Sequence, residues 1–209
     1  DPDGWEGNYP VAYWDPAWKG IVIHGGSAGS QPGRDYRSAL DEALLHGFDG
    51  VYLDWVEAHE DPDVAMAAAE RGVDAAEEMA RLIREISDYA ARTDPAFLVL
   101  QQNAASLAQE RPETLYYIDA IAQEAAWYDG TAFDRWDDPG GADVPQDPDL
   151  TSCYLELLRS YKREGIPVFD CEYADREAER AYALSREEGF VPYCTRRPLS
   201  RLTGTPPPR

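Results

Sequence analysis

Gly47-Phe48-Asp49-Gly50-Val51-Tyr52-Leu53-Asp54-Trp55-Val56-Glu57-Ala58 reads as a short apolar strand entered through a Gly-x-x-Gly turn and ending on a carboxylate. A charge at the end of a buried strand is uncommon unless something there needs it. In an α/β barrel the carboxyl ends of the strands form the floor of the active site, so an acid at that point reads as catalytic. Two readings of Asp54 are open on spacing alone: a catalytic carboxylate, or a cap on the helix that follows. Glu57, one turn further on, is a second acid of the same kind, with a plain surface charge as its alternative.

Further strand ends of the same type follow. The apolar run at 97–100 exits into Gln101-Gln102-Asn103, amides suited either to substrate hydroxyls or to loop backbone. A third run, 118–122, leads into Gln123-Glu124-Ala125-Ala126-Trp127-Tyr128, which puts Glu124 where Asp54 stands on the first strand. Trp127 and Tyr128 beside it could form an apolar wall that tunes a carboxyl's proton affinity. A fourth strand, 167–171, ends at Glu172-Tyr173, and a fifth, 190–194, contains Tyr193. Between them, helices are expected over 36–46, 64–92, 112–117, 150–164 and 176–188. Residues 1–20, Tyr13-Trp14-Asp15 among them, are rich in Trp, Tyr, Gly and Pro and read as an extended, ordered loop with room for one short strand. Their rings suit sugar stacking or packing over a barrel end. The stretch 129–149, full of Asp, Gly and Pro, is too long for a plain connection and reads as a lid or an insertion.

The alternation of strands and helices means a parallel sheet with right-handed crossovers. No Gly-x-Gly-x-x-Gly follows a strand, which disfavours a dinucleotide fold. The 209 residues suffice for one domain over 1–202 with a Pro-rich tail at 203–209. They fall short of the roughly 250 typical of a closed barrel. The formal charge of −21, with Lys19 and Lys162 as the only lysines, argues against nucleic-acid partners and would favour cationic ligands such as amino sugars. A solubility role is the alternative for most of that charge. No apolar run is long enough to span a bilayer. Cys153, Cys171 and Cys194 form no C-x-x-C, and His24, His46 and His59 fall at no ligand spacing, so no metal or other cofactor is expected.

Tyr13-Trp14-Asp15, Gly47 to Asp54, Gln102-Asn103, Gln123-Glu124, Glu172-Tyr173-Ala174 and Gly189-Phe190-Val191-Pro192-Tyr193 occur in this order. Together they resemble glycoside hydrolase family 114, the endo-α-1,4-polygalactosaminidase-like group once labelled as related to cysteinyl-tRNA synthetase. Neither the HIGH-type nor the KMSKS-type motif of such a synthetase is present in the chain. The resemblance implies a TIM (β/α)8 barrel of the glycoside hydrolase type, here a partial barrel lacking its first strands, with a sheet edge open to self-association. It also implies an oligo- or polysaccharide substrate and a secreted or extracytoplasmic setting. Asp54 would be the nucleophile and Glu124 the acid/base. Substrate-binding positions would be Tyr13, Trp14, Asp15, Tyr52, Glu57, Gln102, Asn103, Trp127, Tyr128, Glu172, Tyr173 and Tyr193. A non-catalytic carbohydrate-binding protein is the second reading.

Overall fold

The computed structural model describes residues 9–25, 37–133 and 135–203. The tail beyond Thr203, Tyr36 and most of the Gly/Ser stretch at 25–33 lie outside them. The chain divides into two compact units, Asp1–Asp119 and Ala120–Arg209.

In the first unit the aromatic stretch is not an extended loop. Asp15 and Pro16 form a helix start: the Asp15 carboxylate accepts from the Ala17 N–H at 2.7 Å, and proline takes the first helical position, where no N–H is needed. Helix α1 (Pro16–Lys19) runs on into a wider π turn, Gly20–His24, that buries Ile23 completely. The dense rings obscured this short helical signal. Helix α2 (Ala39–Leu45) is capped by Ser38, and the chain turns back through Gly47 at φ +71°. Strand β1 (Gly50–Leu53) follows. The two glycines of the turn have different duties. Gly47 takes the left-handed backbone, whereas at Gly50 a side chain would meet the Leu98 carbonyl at 2.4 Å.

The single long helix expected over 64–92 is two: α3 (Pro62–Glu70) and α4 (Ala75–Thr93). Gly72 at φ +69° ends the first, and Asp74 caps the second by accepting from the Glu77 N–H at 2.8 Å. Most of the apolar stripe survives the break, with Ala76, Met79, Ile83, Ile86 and Ala90 all buried. Strand β2 (Leu98–Gln102) pairs in parallel with β1, Gly50 opposite Leu98 and Tyr52 opposite Leu100. Helix α5 (Leu107–Glu110) and a 3-10 turn, Pro112–Tyr116, complete the unit.

The second unit opens on β3 (Ala120–Glu124), two residues later than expected, so that Glu124 is the last residue of the strand rather than beyond it. The stretch at 129–149 is no structureless insertion. It carries an antiparallel ribbon, β4 (Tyr128–Gly130) with β5 (Asp143–Pro145). Helix α6 (Pro148–Arg163), strand β6 (Val168–Glu172), helix α7 (Ala178–Glu187) and strand β7 (Val191–Cys194) follow. Strand β6 lies between β3 and β7, parallel to both.

Both units therefore carry parallel strands joined through helices, an α/β fold. Parallel strands are ordinarily buried on both faces. Here one side is closed: Val99 and Gln101 in the first unit, and Val168, Asp170, Glu172 and Cys194 in the second, are all buried. On the other side Tyr52, Leu98, Phe169, Val191 and Tyr193 are exposed, whereas Ala120 and Ala122 of β3 are buried. Glu124 belongs by register to this side, level with Cys171 and Tyr193. The three cysteines are free, and burial pushes the Cys194 thiol up to about 12. Among the described residues no helix is long and apolar enough to cross a membrane.

Candidate active site

Asp54 leaves the end of β1 exposed to solvent. The residue after it, Trp55, has left-handed backbone, φ 55° and ψ 43°, which a side chain other than glycine's adopts at a cost of about 1–2 kcal/mol. The end of β2 holds it there: the Trp55 N–H donates to Gln102 Oε1 at 2.8 Å. Strand β2 repeats the device, since Asn103 and Ala104 are both left-handed at φ 52°. Buried Gln101 satisfies that bend by donating to the carbonyls of Asn103 and Ala104 at 2.7 and 3.0 Å. Asn103 Nδ2 in turn donates to Glu57 Oε1 at 3.1 Å. Glu57, Gln102 and Asn103 are thus brought together at one strand-end cluster with Trp55, and Tyr52 stands half-exposed on β1 below it.

Tyr13, Trp14 and Asp15 stand apart in role. Tyr13 is buried and donates its hydroxyl to the Ala75 carbonyl at 2.8 Å. Burial, then the charge of Glu78, holds its phenol well above the usual range. Trp14 packs edge-on against it at 4.9 Å, and Asp15 is the α1 cap. All three serve the junction of α1 with the start of α4.

In the second unit Glu124 is half-buried, and the Tyr173 hydroxyl donates to its Oε1 at 2.7 Å. Here too the residue after the acid is strained: Ala125 lies at φ 51°. Its N–H donates to the Cys171 carbonyl at 2.9 Å, and its own carbonyl accepts from Gln146 Nε2 at 2.9 Å. Thr151 closes the next carbonyl, that of Ala126, at 2.8 Å. Such over-determination is what keeps a strained backbone in place.

Glu172, expected to face substrate, is fully buried. Its carboxyl accepts from the N–H groups of Trp127 at 3.1 Å and Tyr128 at 2.7 Å, pinning the segment after Glu124. Asp170, two residues back on the same face of β6, is equally buried and accepts from the Ser185 hydroxyl. Burial raises both carboxyls, and the charge of Asp170 pushes Glu172 well above the ordinary carboxylate range. Tyr128 points inward as well, into a cluster with Ala174, Ala178, Ala181, Tyr182 and Cys194 against which Trp127 packs. Tyr193 stays exposed, its oxygen accepting from the Thr203 N–H at 3.1 Å.

Several residues of the site escaped the sequence reading. Arg197 lies with its guanidinium 4.8 Å above the Tyr173 ring and 5.1 Å from the Phe133 ring, and donates to the Asp129 carboxylate and the Gly130 carbonyl. Asp143 accepts from the N–H groups of Asp175, Arg176 and Glu177 at 2.6–3.0 Å, bolting the β4–β5 ribbon to the start of α7. Asp143 carried a faint signal, an acid in a turn-rich stretch; Arg197 carried none. Among the described residues no three His, Cys, Asp or Glu side chains converge as metal ligands.

Residues 1–206 match glycoside-hydrolase family GH114. The chain belongs to this family. An uncharacterized protein of Deinococcus radiodurans is 32% identical over 207 residues, 97% of this chain and 55% of its own length. The uncharacterized Methanocaldococcus jannaschii protein MJ1477 is 30% identical over 90% of this chain and 46% of its own. The GH114 chain thus spans about half the length of these relatives. Among solved structures, the glycoside hydrolase domain of PelA from Pseudomonas aeruginosa superposes with a TM-score of 0.58 at 20% identity, over 78% of this chain and 59% of that domain. A variant of the same domain gives 0.58 at 19%. That likeness shows the fold, which is of the TIM-barrel type.

Proposed function

We infer that the chain acts as a glycosidase on an α-linked polysaccharide of amino sugars, with Asp54 and Glu124 as its two working carboxyls. One observation carries the choice of residues. Each of these acids closes a parallel strand and is followed at once by a non-glycine residue forced into left-handed backbone, Trp55 after Asp54 and Ala125 after Glu124. Strained backbone of this kind concentrates where function demands a fixed geometry. Membership of GH114 gives that geometry its chemistry.

The reaction needs one carboxyl to protonate the leaving oxygen and another to attack or activate water. In the retaining form, an Asp54 oxygen bonds the anomeric carbon as the glycosidic C–O bond breaks and the Glu124 proton passes to the leaving oxygen. Water then attacks the anomeric carbon, Glu124 recovers a proton from it, and Asp54 is released. The amino-sugar class comes from the resemblance to the polygalactosaminidase-like group, and the net charge of −21, which would concentrate a polycation near the protein, is consistent with it.

Turnover of an α-1,4-galactosamine oligomer tests the reading in the protein at its full natural length. Asp54→Asn and Glu124→Gln keep shape and are each expected to lose at least about 10²-fold in kcat while still binding. Hydrolysis at the parent rate by both would remove this pair from the catalysis, whereas binding without hydrolysis by the parent protein would assign the chain to carbohydrate binding. Affinity for the oligomer is expected to fall with added salt and to vanish on full N-acetylation; equal, salt-independent binding of both forms would leave the charge to solubility alone.

A further inference from the structure

The Tyr173 hydroxyl is the nearest thing to a fixed reference point beside Glu124, and it is itself held on three sides. Its ring lies under the Arg197 guanidinium at 4.8 Å, which also stands 5.1 Å from the Phe133 ring. Arg197 is locked by bonds to Asp129 and to the Gly130 carbonyl, so it cannot swing away. The ribbon strand β4 passes so close that a side chain on Gly130 would meet the Tyr173 carbonyl at 2.9 Å and its Cβ at 3.1 Å. Glycine is the residue that allows this approach. The Tyr173 N–H also donates to the Tyr128 carbonyl at 3.3 Å.

We propose that Tyr173 and Arg197 are positioning residues that hold the Glu124 carboxyl in the orientation in which it exchanges a proton in glycoside cleavage. The inference rests on the catalytic role proposed for Glu124. The Tyr173 hydroxyl donates to Oε1 at 2.7 Å and so fixes one oxygen of the carboxyl. A protonated carboxyl can accept at one oxygen and donate from the other, so the same bond persists through both halves of the reaction. After the proton leaves, the phenol still donates to Oε1 and stabilises the new carboxylate. Burial and the neighbouring Glu124 hold the phenol well above its usual range, so it stays protonated and remains a donor throughout. Arg197 acts one step removed: a planar cation over the ring fixes its tilt, which an ammonium on a flexible stem cannot do.

The test is kcat and KM on the galactosamine oligomer for Tyr173→Phe, Arg197→Lys and Glu124→Gln, with unfolding midpoints for each. Tyr173→Phe is expected to lower kcat about 10- to 100-fold, the scale of a misplaced group, with KM within about twofold and an unchanged midpoint. Arg197→Lys, which keeps the charge but not the plane, is expected to fall the same way by a smaller factor. A parent-like kcat in Tyr173→Phe beside an inactive Glu124→Gln overturns the positioning role alone. KM rising together with a falling midpoint overturns it too, by making Tyr173 a packing residue. A Glu124→Gln variant with parent activity removes the catalytic reading itself, and this inference with it. Independently of turnover, a crystal structure of Tyr173→Phe is expected to show the Glu124 carboxylate rotated from its place; an unmoved carboxylate overturns the proposal.

Discussion

Asp54 and Glu124, two of the acids that stand at the ends of parallel strands, are held in opposite ways. Asp54 stands exposed at the end of β1, and the bonding around it goes to its neighbours: Trp55 to Gln102, Asn103 to Glu57. Glu124 is half-buried and gripped directly by Tyr173, with Glu172, Gln146 and Thr151 fixing the backbone that follows it. The first unit therefore fixes the backbone and leaves the carboxylate free to swing. The second fixes the carboxyl itself. A nucleophile that must close on an anomeric carbon tolerates the first arrangement, while a group that must present a proton to one oxygen atom gains from the second.

The strongest way to break this comparison is the pair of charge-removing variants taken together. Groups that act as one unit are non-additive, so Asp54→Asn with Glu124→Gln is expected to be little worse than either alone, all near the loss of at least about 10²-fold. Multiplying losses would mean the acids act in separate steps or at separate sites. Should Asp54→Asn keep parent turnover while Glu124→Gln loses it, the role on the first unit passes to Glu57, the carboxylate that Asn103 holds in place.

A second contrast is buried versus surface acid. Glu172→Ala strips the acceptor from the N–H groups of Trp127 and Tyr128, at roughly 1–3 kcal/mol for each donor left unsatisfied. Glu57→Ala, which takes the acceptor from the Asn103 amide on a half-buried side chain, is expected to cost less than Glu172→Ala. The buried acid also has a pH signature. Its folded-state pKa lies above the unfolded value of about 4.3. The native state then binds the extra proton, so this contribution is whole below about pH 4 and is lost as pH rises through the raised value. Glu172→Gln is expected to flatten that decline relative to the parent in urea unfolding between about pH 4 and pH 7. Parallel stability profiles would show that Asp170 alone carries the proton.

The strands were legible because apolar runs bounded by Gly, Pro and amides have little else to become: β1, β2, β6 and β7 fall within a residue of expectation. Strand β3 slipped by two because Ile118-Asp119 interrupts its apolar run, and Asp119 turns its carboxylate back to the Val99 N–H at 2.8 Å. The β4–β5 ribbon was hidden because strands of three residues carry no period, and their stability comes from Asp143 and Arg197 rather than from apolar alternation. Asp54 and Glu124 could be singled out from sequence because position at a strand end is a local property. The inward turn of Glu172 and Tyr128, and the hold of Arg197 on Tyr173, depend on partners more than twenty residues away, and no local pattern encodes them.

The smallest expected effect separates strain from packing at the two strand ends. Ala125 at φ 51° pays about 1–2 kcal/mol for left-handed backbone, and glycine there would recover it less the 0.5–1 kcal/mol of extra freedom in the unfolded chain. Ala125→Gly is therefore expected to raise stability by about 0.5–1 kcal/mol in urea unfolding. Asn103, at φ 52°, is a residue type that tolerates this region, so Asn103→Gly recovers little strain and forfeits the bond to Glu57. Its stability should stay level or fall. If the strain serves Glu124, the more stable Ala125→Gly protein should turn over substrate several-fold more slowly, because the residue after the acid is no longer fixed. Equal turnover with higher stability would mean that the bend after Glu124 is a by-product of chain reversal, and that side-chain contacts such as the grip of Tyr173 set the acid's position.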